Sequence, residues 1–276
     1  MEDSTFGSYR PQGVFEGTVR YKEKLPTKSF KHLIAFYNQC VFDDKSTSSR
    51  FTAIPSGCTD LKFHCHPKKP SVFVCGSKKR NGLTNLPCDN YDLFGIRFWP
   101  GQFFKLFPYH SEAFTNIEVD LHSVSYHEIH KVADQILEAP AFNDRIKIWE
   151  NFMINWLAQL TATPTWIDST INLILNQKGN MNIAGLSKKI GYTDRHIRRE
   201  FNRVVGMSPK LFSRIIKFQN VLTELQGSSE NCMVDVSLEY GYHDQAHFIH
   251  EFKNFYGKTP TAILPHPRKR VNAIGR

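Results

Sequence analysis

Gly241-Tyr242-His243-Asp244-x-x-x-Phe248-x-x-x-Phe252-Lys253-x-x-x-Gly257-x-Thr259-Pro260 is a pattern that this 276-residue chain writes twice. The earlier copy reads Gly191-Tyr192-Thr193-Asp194, then Ile197, Glu200-Phe201, Gly206 and Ser208-Pro209, and its first glycine lies 50 residues before Gly241. Four residues ahead of each of these glycines stands a small residue, Ser187 or Ser237, that lets two helices approach closely. The glycine turns the chain, and Thr193-Asp194 or His243-Asp244 can cap the helix that follows. This is the grammar of a helix-turn-helix, whose second helix enters the DNA major groove. Two copies joined by one helix predict two adjacent grooves read by one polypeptide.

The charge is distributed to match. Residues 165–276 hold 16 Lys and Arg against 9 Asp and Glu, whereas residues 1–164 hold 19 against 17, out of a total net charge of +9. A basic C-terminal part beside a near-neutral N-terminal part is what a polyanion-binding module attached to another function shows. The first residues, Met1-Glu2-Asp3-Ser4-Thr5, are polar and acidic, unlike a signal peptide. No apolar run approaches the ~20 residues of a spanning helix. Six cysteines without a leader read as reduced thiols. The expectation is a cytoplasmic protein with no membrane partner.

An α+β chain is predicted. Residues 1–12 read as a leader, and residues 1–160 as a β-rich regulatory domain, an antiparallel barrel or sandwich with two C-terminal helices. Its strands include Phe51–Ile54, Leu61–Cys65, Ser71–Cys75 and Phe94–Phe98, broken by turn clusters such as Asp43-Asp44-Lys45-Ser46-Thr47-Ser48-Ser49. Helical spacing of Ile129, Val132, Ala133, Ile136 and Leu137, and again of Ile146, Trp149, Phe152, Met153 and Trp156, predicts two helices over 125–160, split near Pro140, that would relay between domains. Thr161-Ala162-Thr163-Pro164 is the natural boundary. An all-α domain over 165–264 follows, with helix-turn-helix units at about 182–206 and 232–257 and a long helix from Pro209 between them. Residues 265–276 form a proline-broken basic tail.

Residues 165–264 resemble the DNA-binding domain of the AraC/XylS family of bacterial transcription regulators, on the strength of the second copy quoted above. Even the offset between copies is similar to the family's, since Phe201 lies 10 after its glycine and Phe252 lies 11 after. Ile54-Pro55-Ser56-Gly57-Cys58-Thr59-Asp60-Leu61 and Phe94-Gly95-Ile96-Arg97-Phe98-Trp99-Pro100-Gly101 resemble two motifs of a sensor-like domain found in one subgroup. The resemblance implies a transcription regulator, an activator if it engages RNA polymerase, modulated by a small-molecule effector and with room for a homodimer. Lys217-Phe218 departs from the family's usual Arg-Leu, at the point where the two halves are braced.

Ile197 and Phe201 are four apart and face inward on the first reading helix, so Arg195, Arg198 and Arg199 fall outward, suited to guanine O6 and N7. The family correspondence implies base or backbone contact at the same three. On the second, Phe248 and Phe252 face inward and Gln245, Ala246, Ile249 and His250 fall outward. Gln245 can pair with adenine, and Ala246 or Ile249 can touch a thymine methyl. His250 stands where the family often has arginine and offers fewer donors, so weaker and more A·T-tolerant readout is expected there. Lys188, Lys189, Arg203, Lys210, Lys253 and Lys258 read as phosphate contacts.

The alternative is a DNA-binding protein whose N-terminal domain is an enzyme. His64-Cys65-His66 has the composition of a metal cluster, yet strand alternation sends Cys65 to the opposite face. Cys40, Cys58, Cys65, Cys75 and Cys88 lack metal-finger spacing and read as buried thiols. His127 and His130 read as surface residues. No phosphate loop, nucleophile elbow or zinc-protease motif is present. No catalytic residue, metal or cofactor is therefore expected. The rings of Phe63, Phe73, Phe94, Phe98, Trp99, Phe103 and Phe104 either wall an apolar effector pocket or fill the core, and the pocket's residues are not legible.

Overall fold

A computed structural model describes residues 14–16, 19–42, 50–85, 91–107, 109–124, 127–158, 165–181, 185–227 and 237–263. The expected leader and tail, the 43–49 turn cluster, Cys88, the 161–164 boundary and the first residues of both helix-turn-helix units lie outside the described residues. Nine strands are described among them: β1 (Val14–Glu16), β2 (Val19–Lys24), β3 (Ile34–Phe42), β4 (Arg50–Ala53), β5 (Thr59–His64), β6 (Ser71–Cys75), β7 (Gly82–Asn85), β8 (Tyr91–Phe98) and β9 (Glu118–Asp120). All pair antiparallel, in a three-stranded sheet β1-β4-β7 and a six-stranded sheet β2-β3-β8-β5-β6-β9. The four segments expected as strands fall in β4, β5, β6 and β8.

Alternation sets which face is covered. Leu61 and Phe63 on β5, Val72 and Val74 on β6, and Phe94, Ile96 and Phe98 on β8 all point into one core. The short α1 (Phe103–Leu106) adds Phe103 and Phe104. The helices α2 (His127–Glu138) and α3 (Phe142–Leu157) complete it, burying Ile129, Val132, Ala133 and Ile136 from one and Ile146, Trp149 and Met153 from the other. Of the rings weighed as pocket walls, Phe63, Phe94, Phe98, Phe103 and Phe104 belong to this packed core. Arg145 of α3 is buried too, and its guanidinium is satisfied by Asp92 (2.7 Å) and the Ala139 carbonyl (3.0 Å).

The C-terminal part is helical: α4 (Trp166–Asn176), α5 (Leu186–Ile190), α6 (Asp194–Val205), α7 (Pro209–Gly227), α8 (described at 237–239) and α9 (Gln245–Tyr256), then a 3-10 turn at Pro260–Ala262. Its core gathers Ile167, Ile171 and Ile174 of α4, Phe201 and Val205 of α6, Phe248, Phe252 and Phe255 of α9, and a long series from α7. The same cluster takes in Ala35, Phe36, Ile54 and Trp99 from the β-rich part, so the two parts share one core.

The contacts across that junction involve other segments than the helices expected to relay. α2 and α3 pack on the β-rich core, whereas α1 and loops of the β-rich part make polar contacts across the junction. Gln219 of α7 donates to the Pro55 carbonyl at 2.7 Å, buried. Gln102 donates to Asp168 at 3.0 Å, and Lys105 pairs with the same carboxylate, which also closes a capping box with Thr165 at the start of α4. Thr115 donates to the Gly206 carbonyl at 3.0 Å, and Asn81 to that of Asn254 at 3.3 Å. The two motifs resembling a sensor domain therefore meet the helical part directly. Gly57, with φ of +73°, lies so close to α7 that an added Cβ would sit 2.4 Å from the buried Phe212 ring.

Gly57→Ala is accordingly expected to lower stability by about 1–3 kcal/mol, because the left-handed backbone disfavours a side chain and Phe212 has nowhere to move. Gly82→Ala, where an added Cβ meets nothing within 4 Å, should stay within about 0.5 kcal/mol of the parent. Thermal unfolding of the two variants checks this, and equal midpoints would contradict the packing described.

Candidate nucleic-acid interface

Both helix-turn-helix units are built by the same local chemistry. α5 ends at Gly191 (φ +80°), the left-handed residue that closes a helix most cheaply. Thr193 then caps α6 by accepting from the His196 amide at 3.3 Å, and α6 ends at Gly206 (φ +83°). In the second unit Gly241 has φ of +65°, Asp244 caps α9 by accepting from the His247 amide at 2.7 Å, and α9 ends at Gly257 (φ +92°). The one-residue offset between the copies thus lies in the turn: the cap comes two residues after Gly191 but three after Gly241. Counted from the caps the helices are in register. Ile197 and Phe248 stand four residues in, Phe201 and Phe252 eight in, and all four are buried.

In that register Arg195 matches Ala246, Arg198 matches Ile249, and Arg199 matches His250. Arg195, Arg198, Arg199, Gln245, Ala246 and His250 are exposed. Ile249 is only half-buried and packs against the helical core, which corrects its expected full exposure: its position borders the apolar stripe, and a branched alkyl side chain gains by folding onto it. Arg199 is tied down, with Nε 3.1 Å from Glu200 and a terminal nitrogen 3.2 Å from His196 Nδ1. Arg203 binds the same Glu200 at 2.8 Å, and although burial pushes that carboxyl up, the hydrogen bonds from Arg203 and Arg199 hold it below the usual range. Arg195 and Arg198 have no carboxylate partner among the described residues. Lys188, Lys189, Arg203, Lys210, Lys253 and Lys258 are all exposed.

Sequence reasoning missed the brace behind α9. Glu251 occupies the position that Glu200 holds in α6, seven residues after the cap, but it is buried. It accepts from Arg214 of α7 at 2.7 Å, with His247 at 3.8 Å. The repeated glutamate was the available signal. Lys217 extends the brace, its ammonium 3.5 Å from the Gly241 carbonyl and 5.2 Å from the centre of the Tyr242 ring. Tyr192, the counterpart of Tyr242, stays exposed and stacks with Trp166 of α4 and His196.

The cysteines and histidines behave structurally. Cys40, Cys58 and Cys75 are buried, Cys65 partly so, and none is in a disulfide. Burial pushes Cys58 and Cys75 up to about 12 and Cys65 up to about 11, so each is held as a thiol. No group of three metal-ligating side chains occurs among the described residues. His127 is exposed as expected, but His130 is half-buried, with Nε2 2.8 Å from the Val124 carbonyl and 3.0 Å from that of Leu121, so it fastens the turn before α2.

A family model described as a helix-turn-helix domain matches residues 186–265, which span both reading helices, and a domain of unknown function (DUF6597) matches residues 22–120. The HTH-type transcriptional activator AarP of Providencia stuartii is 27% identical over 86 residues, 31% of this chain and 63% of that protein. The C-terminal part of the chain carries a helix-turn-helix domain of the AraC type. An uncharacterised HTH-type transcriptional regulator of Haemophilus influenzae is 29% identical over 96 residues, covering 34% of this chain and 32% of the relative. The chain thus spans less than two thirds of either relative. ToxT from Vibrio cholerae aligns over 90% of this chain and 97% of its own, at 12% identity and a TM-score of 0.42. The helix-turn-helix family model, over residues 186–265, covers α5 to α9, the elements whose caps and glycines repeat.

Arg198→Ala is expected to cost about 1–3 kcal/mol on the preferred duplex and to relax base choice within one half of it. Lys253→Ala should weaken preferred and random duplexes by similar factors. Competition titrations with both DNAs check this, and an Arg198 variant that loses equally on random DNA would contradict base reading.

Proposed function

We propose that this protein is a sequence-specific transcription regulator that reads two adjacent major grooves, α6 through Arg195, Arg198 and Arg199 and α9 through Gln245, Ala246, Ile249 and His250. Lys188, Lys189, Arg203, Lys210, Lys253 and Lys258 position the duplex through phosphates. The observation that carries this reading is the shared register of the two helices. Each is capped, buried on one stripe, and exposed over the N-terminal half, where a helix in a major groove meets base edges. The inequality of charge between them makes α6 the stronger reader and α9 the more A·T-tolerant.

Residues 1–160 act as the regulatory domain in this reading and residues 165–264 as the DNA-binding domain. The β-rich part touches the C-terminal ends of both reading helices, Thr115 at Gly206 and Asn81 at Asn254. A small-molecule effector bound there changes DNA affinity only by binding the DNA-competent and incompetent arrangements unequally. The protein works in the cytoplasm without a cofactor, as an activator contacts RNA polymerase, and dimerises through its N-terminal part if its operator is palindromic. No described helix is long and apolar enough to cross a membrane.

Affinity of the full chain for its preferred duplex is expected to fall about a thousandfold between 50 and 200 mM salt, as six or so phosphate contacts release counterions. Electrophoretic mobility shifts over a salt series measure this. A chain that binds no promoter-derived duplex, or binds with no salt dependence, would overturn the reading.

A further inference from the structure

Among the described residues, Arg199 alone of the three outward arginines of α6 is held by side-chain hydrogen bonds. Its Nε donates to Glu200 Oε1 at 3.1 Å, and its Nη2 lies 3.2 Å from His196 Nδ1. Glu200 is itself braced by Arg203 at 2.8 Å. A guanidinium only donates, so His196 Nδ1 is the acceptor and the ring proton sits on Nε2. The two bonds occupy one side of the guanidinium, Nε–H and the adjacent Nη2–H. Its end-on edge, one N–H from each terminal nitrogen, is left over. That edge is a pair of parallel donors, the arrangement that matches guanine O6 and N7.

His196 is in turn fixed from two sides. Its ring stacks on Tyr192 of the turn, with centroids 4.9 Å apart and 25° between the planes, and lies 5.6 Å from the ring of Trp166. The Trp166 and Tyr192 rings are 4.8 Å from each other, so three rings from α4, the turn and α6 form one platform. Trp166 opens α4 directly after Thr165, whose capping box shares Asp168 with Gln102 and Lys105 of the β-rich part. The second unit shows that the fold alone does not demand this use of the histidine. His247 stands in the same register, three residues after its cap, but its Nε2 is 3.8 Å from the buried Glu251, and its ring meets Tyr242 at 5.6 Å and 64°. His250, the match of Arg199, lies 3.2 Å from Asn254 instead. The histidine that faces the brace in one unit faces a reading arginine in the other.

We propose that His196 is a positioning residue for base reading: held by Tyr192 and Trp166, it fixes the Arg199 guanidinium together with Glu200 and presents the end-on edge to one guanine. The inference rests on the DNA-reading function and deepens it, by adding a residue that touches no base yet sets the choice at one base pair. A mobile arginine gives up its rotamer freedom on reaching a base, whereas one already fixed has given it up on folding, which strengthens the matched contact. A random duplex seldom offers Arg199 a matched pair of acceptors and gains little from the preset geometry. Loss of His196 Nδ1 therefore lowers discrimination and not affinity in general. Arg195 and Arg198, which have no such partner among the described residues, do not depend on it.

The test uses the full chain and removes the acceptor while keeping a ring. His196→Phe preserves stacking on Tyr192 and Trp166, so its thermal midpoint and its affinity for random duplex should match the parent's. Its affinity for the preferred duplex should fall about fivefold, with the loss concentrated at the base pair that Arg199→Ala identifies. In an Arg199→Ala background the same change should have no further effect, which is how a residue acting through another behaves in a double-mutant cycle. If His196→Phe keeps the parent's preference, or loses as much without Arg199 as with it, positioning is disproved and the DNA-reading function stands. An equal loss on preferred and random duplexes would place His196 on the phosphate backbone itself and overturn the inference as well. If Arg199→Ala leaves base choice unchanged, there is no reading for His196 to set, and the inference falls while reading through Arg195 and Arg198 is untouched. If the parent shows no salt-sensitive DNA binding, the inference and the function fall together.

Discussion

The burial of α7 on nearly every side is the constraint from which the rest follows. Phe212, Ile215, Ile216, Phe218, Val221, Leu222 and Leu225 are all fully buried, which no amphipathic surface helix could be. α4, α6 and α9 each pack against it, and the 54–57 loop of the β-rich part closes another side through Gln219 and Phe212. A helix so enclosed cannot rotate or slide without opening a cavity in a core packed at solid density. Both reading helices are therefore set against one rigid spine, and the separation between them is a property of the fold. The polar strip that α7 retains, Lys210, Arg214 and Lys217, lines a cavity beside α6.

That arrangement gives the β-rich part a mechanical role whatever its ligand. It shares apolar core with the helical part and holds the last turns of α6 and α9 by backbone carbonyls, at Gly206 and Asn254. The first turns, with the caps and the outward arginines, stay uncovered. Asp168 gathers several polar partners at the junction. Burial would raise its carboxyl, but the hydrogen bond from Lys105, with those from the Thr165 amide and Gln102, holds it below the usual range. A carboxylate depressed in the folded state contributes stability that is present above its unfolded pKa and is lost as pH falls through the folded one.

What was legible in the sequence was local. The glycines, caps and inward phenylalanines of both helix-turn-helix units depend on residues within a few positions of one another, and α6 and α9 begin and end where that chemistry puts them. The strand segments announced themselves through β-branched and aromatic runs. What was not legible depends on partners distant in the chain. Ile54–Leu61 and Phe94–Gly101 resembled sensor motifs, yet nothing in them told that Pro55, Gly57 and Gly101 meet α7, α6 and α4. The burial of Glu251 follows from Arg214, 37 residues away, and the half-burial of Ile249 from the width of the apolar stripe. His130 passed for a surface residue because the carbonyls it fastens belong to a turn, not to a pattern.

Hydroxyl-radical footprinting of the full chain on its preferred duplex tests the central claim most directly. Two helices fixed to one spine and reading adjacent grooves predict two protected segments on one face of the DNA, centred about 10 base pairs apart. They should remain at that spacing when salt weakens occupancy. A single protected segment, or two whose spacing varies with conditions, would contradict a rigid pair of readers.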